Sequence, residues 1–177
     1  MSIDTLKSRL PDYAKDLKLN LSNVLGTAGM TEQQIWGTAL ATALASGNGT
    51  VIREIEQAAR EHLSDPAVQA AKAAAAIMGM TNIYYRFVHL ASRPDYATMP
   101  AKLRMNVIAN PGIDKLDFEL FSLAVSAING CGMCIDNHEK AVVQGGATKE
   151  MVQNVVRIAS VIHAVAATLD AEEKLAA

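Results

Sequence analysis

Residues 115–140 read KLDFELFSLAVSAINGCGMCIDNHEK, a stretch that indicates two helices separated by a glycine. Asp114 can cap the first helix, which is largely apolar, and Gly130 interrupts it just before the cysteines. A second helix then restarts near Cys131 and ends at Gly145–Gly146. The stretch does not alternate apolar and polar residues as a strand does, so it predicts an all-α fold.

The same signals extend over the remainder of the chain, in which no segment sustains the period of two that marks a strand. Polar side chains that can accept hydrogen bonds stand at the expected helix starts, and glycines stand at the expected ends. The predicted boundaries are a capping box over Thr31–Gln34, a stop at Gly47, N-caps at Thr50, Asp65 and Thr148, an interruption at Gly79, and an end near Leu169. We therefore expect an all-α helical bundle.

The composition agrees with one helical domain over residues 1–177. Half of the residues are hydrophobic and only 5% are aromatic, a balance that suits closely packed helices better than a β-sandwich. The formal net charge is −2 and there is no basic cluster. Neither nucleic acid nor an anionic membrane is therefore expected as a partner.

We also expect no export signal. Residues 1–20 contain no uninterrupted apolar segment, and the longest apolar run, AAAAIMGM at residues 73–80, is too short to span a bilayer. We therefore predict a cytoplasmic protein. In a reducing compartment, a close cysteine pair is more often redox-active or metal-binding than a permanent cross-link.

Two segments resemble each other at a distance of 51 residues: residues 73–87, AAAAIMGMTNIYYRF, and residues 124–138, AVSAINGCGMCIDNH. One interpretation is chance similarity between alanine-rich helices. The other is a duplicated unit of helix, glycine break and helix, with repeats over about 32–95 and 98–170. In that case the first copy serves packing, since the positions of Cys131, Cys134 and His138 are held there by Met80, Ile83 and Phe87.

The cysteines and His138 share one helical stripe, because Cys134 follows Cys131 by three residues and His138 follows Cys134 by four. Zinc would need a fourth ligand, an iron–sulfur cluster would need four cysteines, and covalent haem would need histidine directly after Cys134. A thioredoxin-like site would need a βαβ context. A redox pair on a helical scaffold is the main hypothesis, and metal binding or inert buried thiols remain as alternatives.

Glu119 is the only charged residue in the segment FELFSLAVSAI. If its carboxyl group is buried, its pKa should rise, which suits a proton carrier near neutral pH. The alternative is that Glu119 lies near a helix N-terminus and faces water. The methionines of IMGM, residues 77–80, are expected to belong to the core.

Glu119 together with SAINGCGMCIDNHE resembles the active-site motif of the alkyl hydroperoxidase D family, in the carboxymuconolactone decarboxylase-like superfamily. LPDYAKDLKLNLS, AAAAIMGMTN and LRMNVIANPGI resemble the same family, so the likeness covers nearly the whole chain. The resemblance implies an all-helical homotrimer with an internal repeat and no bound cofactor. It further implies an enzyme that reduces organic hydroperoxides with electrons from dihydrolipoamide, carried by the lipoylated acyltransferase component of a 2-oxoacid dehydrogenase, and that regenerates an AhpC-type peroxiredoxin.

The resemblance also implies roles for four residues. Cys134 would attack the peroxide and become a sulfenic acid, Cys131 would resolve it as a disulfide, and Glu119 and His138 would form a proton relay. Met133 departs from relatives that carry histidine directly before the second cysteine. Two alternatives remain: a non-redox decarboxylase acting on a small lactone acid, and a zinc-binding helical module.

Overall fold

The structure is a computed structural model that describes residues 2–176, and within that range it contains helices and no strand. The predicted all-α fold is confirmed. A short 3-10 turn, Asp12–Ala14, connects the first two helices. The helices are α1 Ser2–Arg9, α2 Lys15–Leu25, α3 Glu32–Ser46, α4 Gly49–Ala59, α5 Asp65–Leu90, α6 Asp95–Thr98, α7 Asn106–Ala109, α8 Lys115–Asn129, α9 Gly132–Gln144 and α10 Lys149–Leu175.

Helices α3 and α8 form the centre of the bundle. Residues 34–43 of α3 and residues 117–126 of α8 are buried on every side, and both helices pack against each other, α5 and α10. Gly37 allows the close approach of α3 to α8, since a Cβ atom at this position would overlap the ring of Phe121. The central position of α8 explains why its sequence is so apolar and why Glu119 is enclosed.

Several predicted helix boundaries are confirmed, and others are wrong by one to six residues. Thr31 and Gln34 form the capping box, and Asp114 and Thr148 cap their helices as expected. The N-cap of α4 is Asn48 rather than Thr50, because Gly47 ends α3 with a φ of 82° and leaves room for one linking residue. The N-cap of α5 is likewise Ser64 rather than Asp65. The last helix continues beyond Leu169 to Leu175.

The predicted interruption at Gly79 is wrong, because Gly79 lies inside α5, which runs unbroken over 26 residues from Asp65 to Leu90. A glycine inside a helix costs only about 1 kcal/mol relative to alanine. On either side of it, Met78 and Asn82 are buried and hold α5 against its neighbours. Packing of the helix therefore outweighs the local preference of one glycine.

The helix order repeats at a spacing other than 51 residues. Helices α3, α4 and α5 start at residues 32, 49 and 65, and α8, α9 and α10 start at 115, 132 and 149, so the shifts are 83, 83 and 84 residues. The lengths are also similar, at 15, 11 and 26 residues against 15, 13 and 27. The internal repeat stays a prediction, but the helix bounds favour a register of about 83 residues.

The expectation that Met80, Ile83 and Phe87 serve the core is wrong for this chain. Ile83 is 57% exposed and Phe87 is 52% exposed, while Met80 is half-buried. Phe87 contacts the ring of Tyr96 in α6, with ring centroids 5.1 Å apart. Ile83 and Phe87 therefore form part of an exposed apolar surface on the last turns of α5.

Helix α10 is long and apolar enough to meet the usual length and hydropathy test for a membrane span. It nevertheless lies against α2, α3 and α8, and one face of it is buried in the protein core. A core helix of this kind passes the same test, so α10 is weak evidence for a membrane segment.

Candidate active site

The two cysteines lie at the junction of α8 and α9, at the start of a helix as predicted. Gly130 ends α8 with a φ of 64°, and Cys131 is the N-cap of α9. The sulfur of Cys131 accepts a hydrogen bond from the backbone N–H of Cys134 at 3.3 Å. The positive end of the helix dipole therefore faces the cysteines, where it favours a thiolate over a thiol.

Cys131 and Cys134 are joined by a disulfide, and their Cα atoms are 5.3 Å apart. Cys131 is fully buried, and Cys134 is 5% exposed. The chain has no other cysteine, so this bond accounts for every sulfhydryl group that thiol chemistry could use.

Glu119 and His138 form a close pair beside the disulfide. Oε2 of Glu119 lies 2.6 Å from Nδ1 of His138, and Oε1 lies 2.7 Å from Nζ of Lys115. Glu119 is 7% exposed, so the interpretation in which it faces water is wrong. The structure thus brings the predicted carboxylate and imidazole together from two different helices, α8 and α9.

The predicted rise in the pKa of Glu119 is also wrong. Burial is the largest single influence and by itself raises the pKa of this carboxyl group. Hydrogen bonds and charge from His138 and Lys115 act in the opposite direction, and together they hold the pKa below its ordinary value. Glu119 is therefore ionised at neutral pH.

Met78 of α5 is a contact of His138 that the sequence did not indicate. Its sulfur lies 3.2 Å from Nε2 of His138 and is also within 3.7 Å of polar atoms of Thr81, Asn82 and Ser126. Met78 is 1% exposed, so the expectation that it belongs to the core is correct but incomplete. The polar residues Thr81 and Asn82, which directly follow IMGM, were the only sequence sign of this environment.

A small cavity of about 140 Å³ is lined by both Cys134 and His138. Cys131 is not among its lining residues. The lining residues come from α5, α7, α9 and the segment before α7: Met78, Thr81, Tyr85, Met105, Ile108, Cys134, Asn137 and His138. Cys134 is therefore the sulfur that a small molecule in this cavity would meet.

Within residues 2–176, no cluster of three or more His, Cys, Asp or Glu side chains has the arrangement of a metal site. His62, which is remote from the cysteines in sequence, stacks on Trp36 with ring centroids 4.6 Å apart. In the disulfide form, Glu119 and Met78 are the partners of the His138 ring nitrogens.

Comparison with known proteins gives the same family as the motif. The profile of the carboxymuconolactone decarboxylase family matches residues 94–177. Alkyl hydroperoxide reductase AhpD of Streptomyces coelicolor is 57% identical over 177 residues, covering 100% of this chain and 99% of the relative. The AhpD proteins of Gluconacetobacter diazotrophicus and Maricaulis maris are 62% and 59% identical, and the matches cover 96% and 97% of this chain and 93% and 99% of the relatives. At this identity over nearly the full length, the chain belongs to the alkyl hydroperoxide reductase AhpD family of the carboxymuconolactone decarboxylase-like superfamily.

Proposed function

We propose that this protein is a thiol-dependent peroxidase that reduces organic hydroperoxides through Cys131 and Cys134. The observation that carries the proposal is a disulfide at the start of a helix, with Cys134 facing the same small cavity as His138. The names of the relatives, which are alkyl hydroperoxide reductases, support the same chemistry.

In the first step, the Cys134 thiolate of the reduced protein attacks one oxygen of the peroxide bond. The S–O bond forms, the O–O bond breaks, and Cys134 becomes a sulfenic acid while the peroxide is reduced to an alcohol. The departing alkoxide takes a proton, for which His138 in the same cavity is the donor, and the contact between Glu119 and Nδ1 holds the ring in place.

In the second step, the Cys131 sulfur attacks the Cys134 sulfenic acid, the S–O bond breaks, and one water leaves with the disulfide formed. The two thiols have then supplied the two electrons that reduced the peroxide. Cys131 needs no access to solvent for this step, because its attacking sulfur and its target are three residues apart on one helical turn.

Regeneration requires a dithiol donor, which we propose is dihydrolipoamide on the acyltransferase component of a 2-oxoacid dehydrogenase. Its thiolate attacks Cys134, the sulfur that lines the cavity, and releases the Cys131 thiolate. The second lipoyl thiol then closes the lipoyl disulfide and frees Cys134. We further propose that an AhpC-type peroxiredoxin receives electrons from the same pair, and that the protein works in the cytoplasm.

We also propose a homotrimer. The exposed apolar side chains Ile83, Phe87 and Leu90 share one face of α5, and Phe87 contacts Tyr96 of α6. They support association of chains, because large exposed apolar patches on soluble proteins often mark protein interfaces. Sedimentation equilibrium measures the mass of the assembly, and a mass of about one chain at micromolar concentration would exclude the trimer.

Thiol counting tests the peroxidase proposal. Reduced wild-type protein should lose two thiols for each peroxide consumed. Cys131→Ser should consume one peroxide and accumulate a sulfenic acid at residue 134, which a sulfenic-acid reagent and peptide mass analysis will locate. Cys134→Ser should show no fast reaction. Fast labelling of residue 131 in the Cys134→Ser protein would reverse the assignment of the two cysteines.

The remaining alternatives give different results in the same preparation. A non-redox decarboxylase would keep both thiols when treated with peroxide. A zinc-binding module would retain about one zinc per chain after dialysis against a chelator.

Reduction of the Cys131–Cys134 disulfide by dihydrolipoamide and its reductase, measured with and without the peroxiredoxin, will test the proposed electron donor and partner. The effect of Met133 will be read from Met133→His, for which we propose a changed pH dependence with the peroxidase reaction retained.

A further inference from the structure

The thioether of Met78 lies in an unusually polar environment for a buried methionine. Its sulfur is 3.2 Å from Nε2 of His138 and 3.6 Å from the hydroxyl oxygen of Ser126. Methionine in a core ordinarily meets apolar side chains, and a thioether can accept a hydrogen bond but has no proton to donate. Both of these neighbours must therefore supply the proton for any hydrogen bond to this sulfur.

The direction of the Ser126 hydrogen bond is set by a chain of amides. Asn129 donates to Oδ1 of Asn82 at 3.0 Å, and Nδ2 of Asn82 donates to the Ser126 hydroxyl oxygen at 3.0 Å. The Ser126 hydroxyl proton is then free to point at Met78. This chain ties α8 to α5 directly beside the sulfur and holds the methionine in place.

His138 consequently has an acceptor on each side of its ring. Nδ1 faces the carboxylate of Glu119 at 2.6 Å, and Nε2 faces the sulfur of Met78 at 3.2 Å. A bare nitrogen at Nε2 would set two lone pairs against each other, whereas a protonated Nε2 donates to the sulfur. Both contacts are satisfied only when both ring nitrogens carry a proton.

We propose that Met78 is a positioning residue that holds the Nε2 proton of His138 at the cavity in which Cys134 reacts. This inference deepens the proposed peroxidase function and rests on it. A thioether is a weak acceptor, so it orients the N–H group without competing with the alkoxide that forms when the O–O bond breaks. The proton then passes from Nε2 to the alkoxide oxygen and yields the alcohol.

Met78→Leu removes the acceptor while nearly conserving side-chain volume, so the bundle should remain folded. Met80→Leu is the matched control, since Met80 lies two residues later on α5, whereas the sulfur that faces Nε2 of His138 is that of Met78. We expect the rate constant of the peroxide step to fall about 2- to 10-fold in Met78→Leu, the range for loss of one ordinary hydrogen bond, because a thioether is a weak acceptor. The rate constant should be unchanged in Met80→Leu.

Nitrogen NMR of the histidine rings, assigned by comparison with His138→Gln, supplies a readout that general loosening of the core would not move. Wild-type protein in the disulfide form at neutral pH should show a protonated, slowly exchanging Nε2 at His138, and Met78→Leu should lose that protected signal. A wild-type Nε2 without a proton would overturn the inference, and so would a wild-type rate in Met78→Leu.

The two proposals can fail separately. Wild-type protein that loses two thiols per peroxide while its Nε2 carries no proton would keep the peroxidase function and overturn the role of Met78. Protein that consumes no peroxide, yet loses the protected Nε2 signal in Met78→Leu, would refute the peroxidase function and support the Met78–His138 contact.

Discussion

Replacement of Glu119 by glutamine removes one charge from the centre of the site and nearly preserves shape. Glu119 is 7% exposed, and its two oxygens accept from His138 at 2.6 Å and from Lys115 at 2.7 Å. Glutamine offers one oxygen and one N–H₂ group. One of the two donors therefore loses its acceptor, and the loss matters most at His138, because the Lys115 side chain is 53% exposed and can turn to water.

The expected loss of rate follows from these contacts. A hydrogen bond to a charged group contributes about 1.5–3 kcal/mol, which corresponds to a factor of about 10–150. Complete loss of a general acid–base group costs about 10²–10⁴-fold. We therefore expect the rate constant of the reduced Glu119→Gln protein with an organic hydroperoxide to fall about 100-fold or more.

The assay is a single-turnover reaction of pre-reduced protein, quenched at intervals and analysed for remaining thiols. Asp117→Asn is the matched control, because Asp117 is equally buried on α8 but binds Gln33 and Gln34 rather than His138. The control should lose stability and keep its rate. A wild-type rate in Glu119→Gln, or an equal fall in both variants, would refute the proton relay.

Three further predictions concern stability. The folded-state pKa of Glu119 is below its ordinary value of 4.5, so its carboxylate stabilises the fold above pH 4.5 and loses that contribution as the pH falls further. In urea titrations, the difference in unfolding free energy between wild type and Glu119→Gln should therefore shrink below pH 4.5. Gly37→Ala should lower the free energy of unfolding by about 1–3 kcal/mol, because the added methyl group overlaps with Phe121. Gly79→Ala should raise it by about 0.4–1 kcal/mol, because the added methyl group meets open space on a helix. Equal effects at the two sites would contradict the packing of α3 on α8. Phe87→Ala should lower the free energy of unfolding by well under the roughly 3–5 kcal/mol of a buried phenylalanine, because its ring is half exposed. A loss of the full range of about 3–5 kcal/mol, measured on dilute single chains, would contradict the exposure of this ring.

The sequence alone determined the features that depend on neighbours along the chain. Helix type follows from apolar periodicity, and the capping box at Thr31 and the left-handed Gly47 and Gly130 follow from local backbone chemistry. For the same reason the cysteines could be placed at the start of a helix, where Cys131 is the N-cap of α9. Local rules were less reliable where two nearby residues could each be the N-cap, as Asn48 and Thr50 could at the start of α4.

Only the tertiary structure decided how distant residues meet. Glu119 and His138 are separated by 19 positions in the sequence and Met78 and His138 by 60, and the packing of α8, α9 and α5 brings them together, which no local pattern records. The sign of the Glu119 pKa shift shows the consequence. Burial could be expected from an apolar sequence, and Lys115 is an i,i+4 neighbour of Glu119 on α8. His138, the other partner that lowers the pKa, lies 2.6 Å from the carboxylate only because α9 packs against α8. A hydrogen bond depends on geometry to a fraction of an ångström, and the geometry between two helices exists only after they have packed.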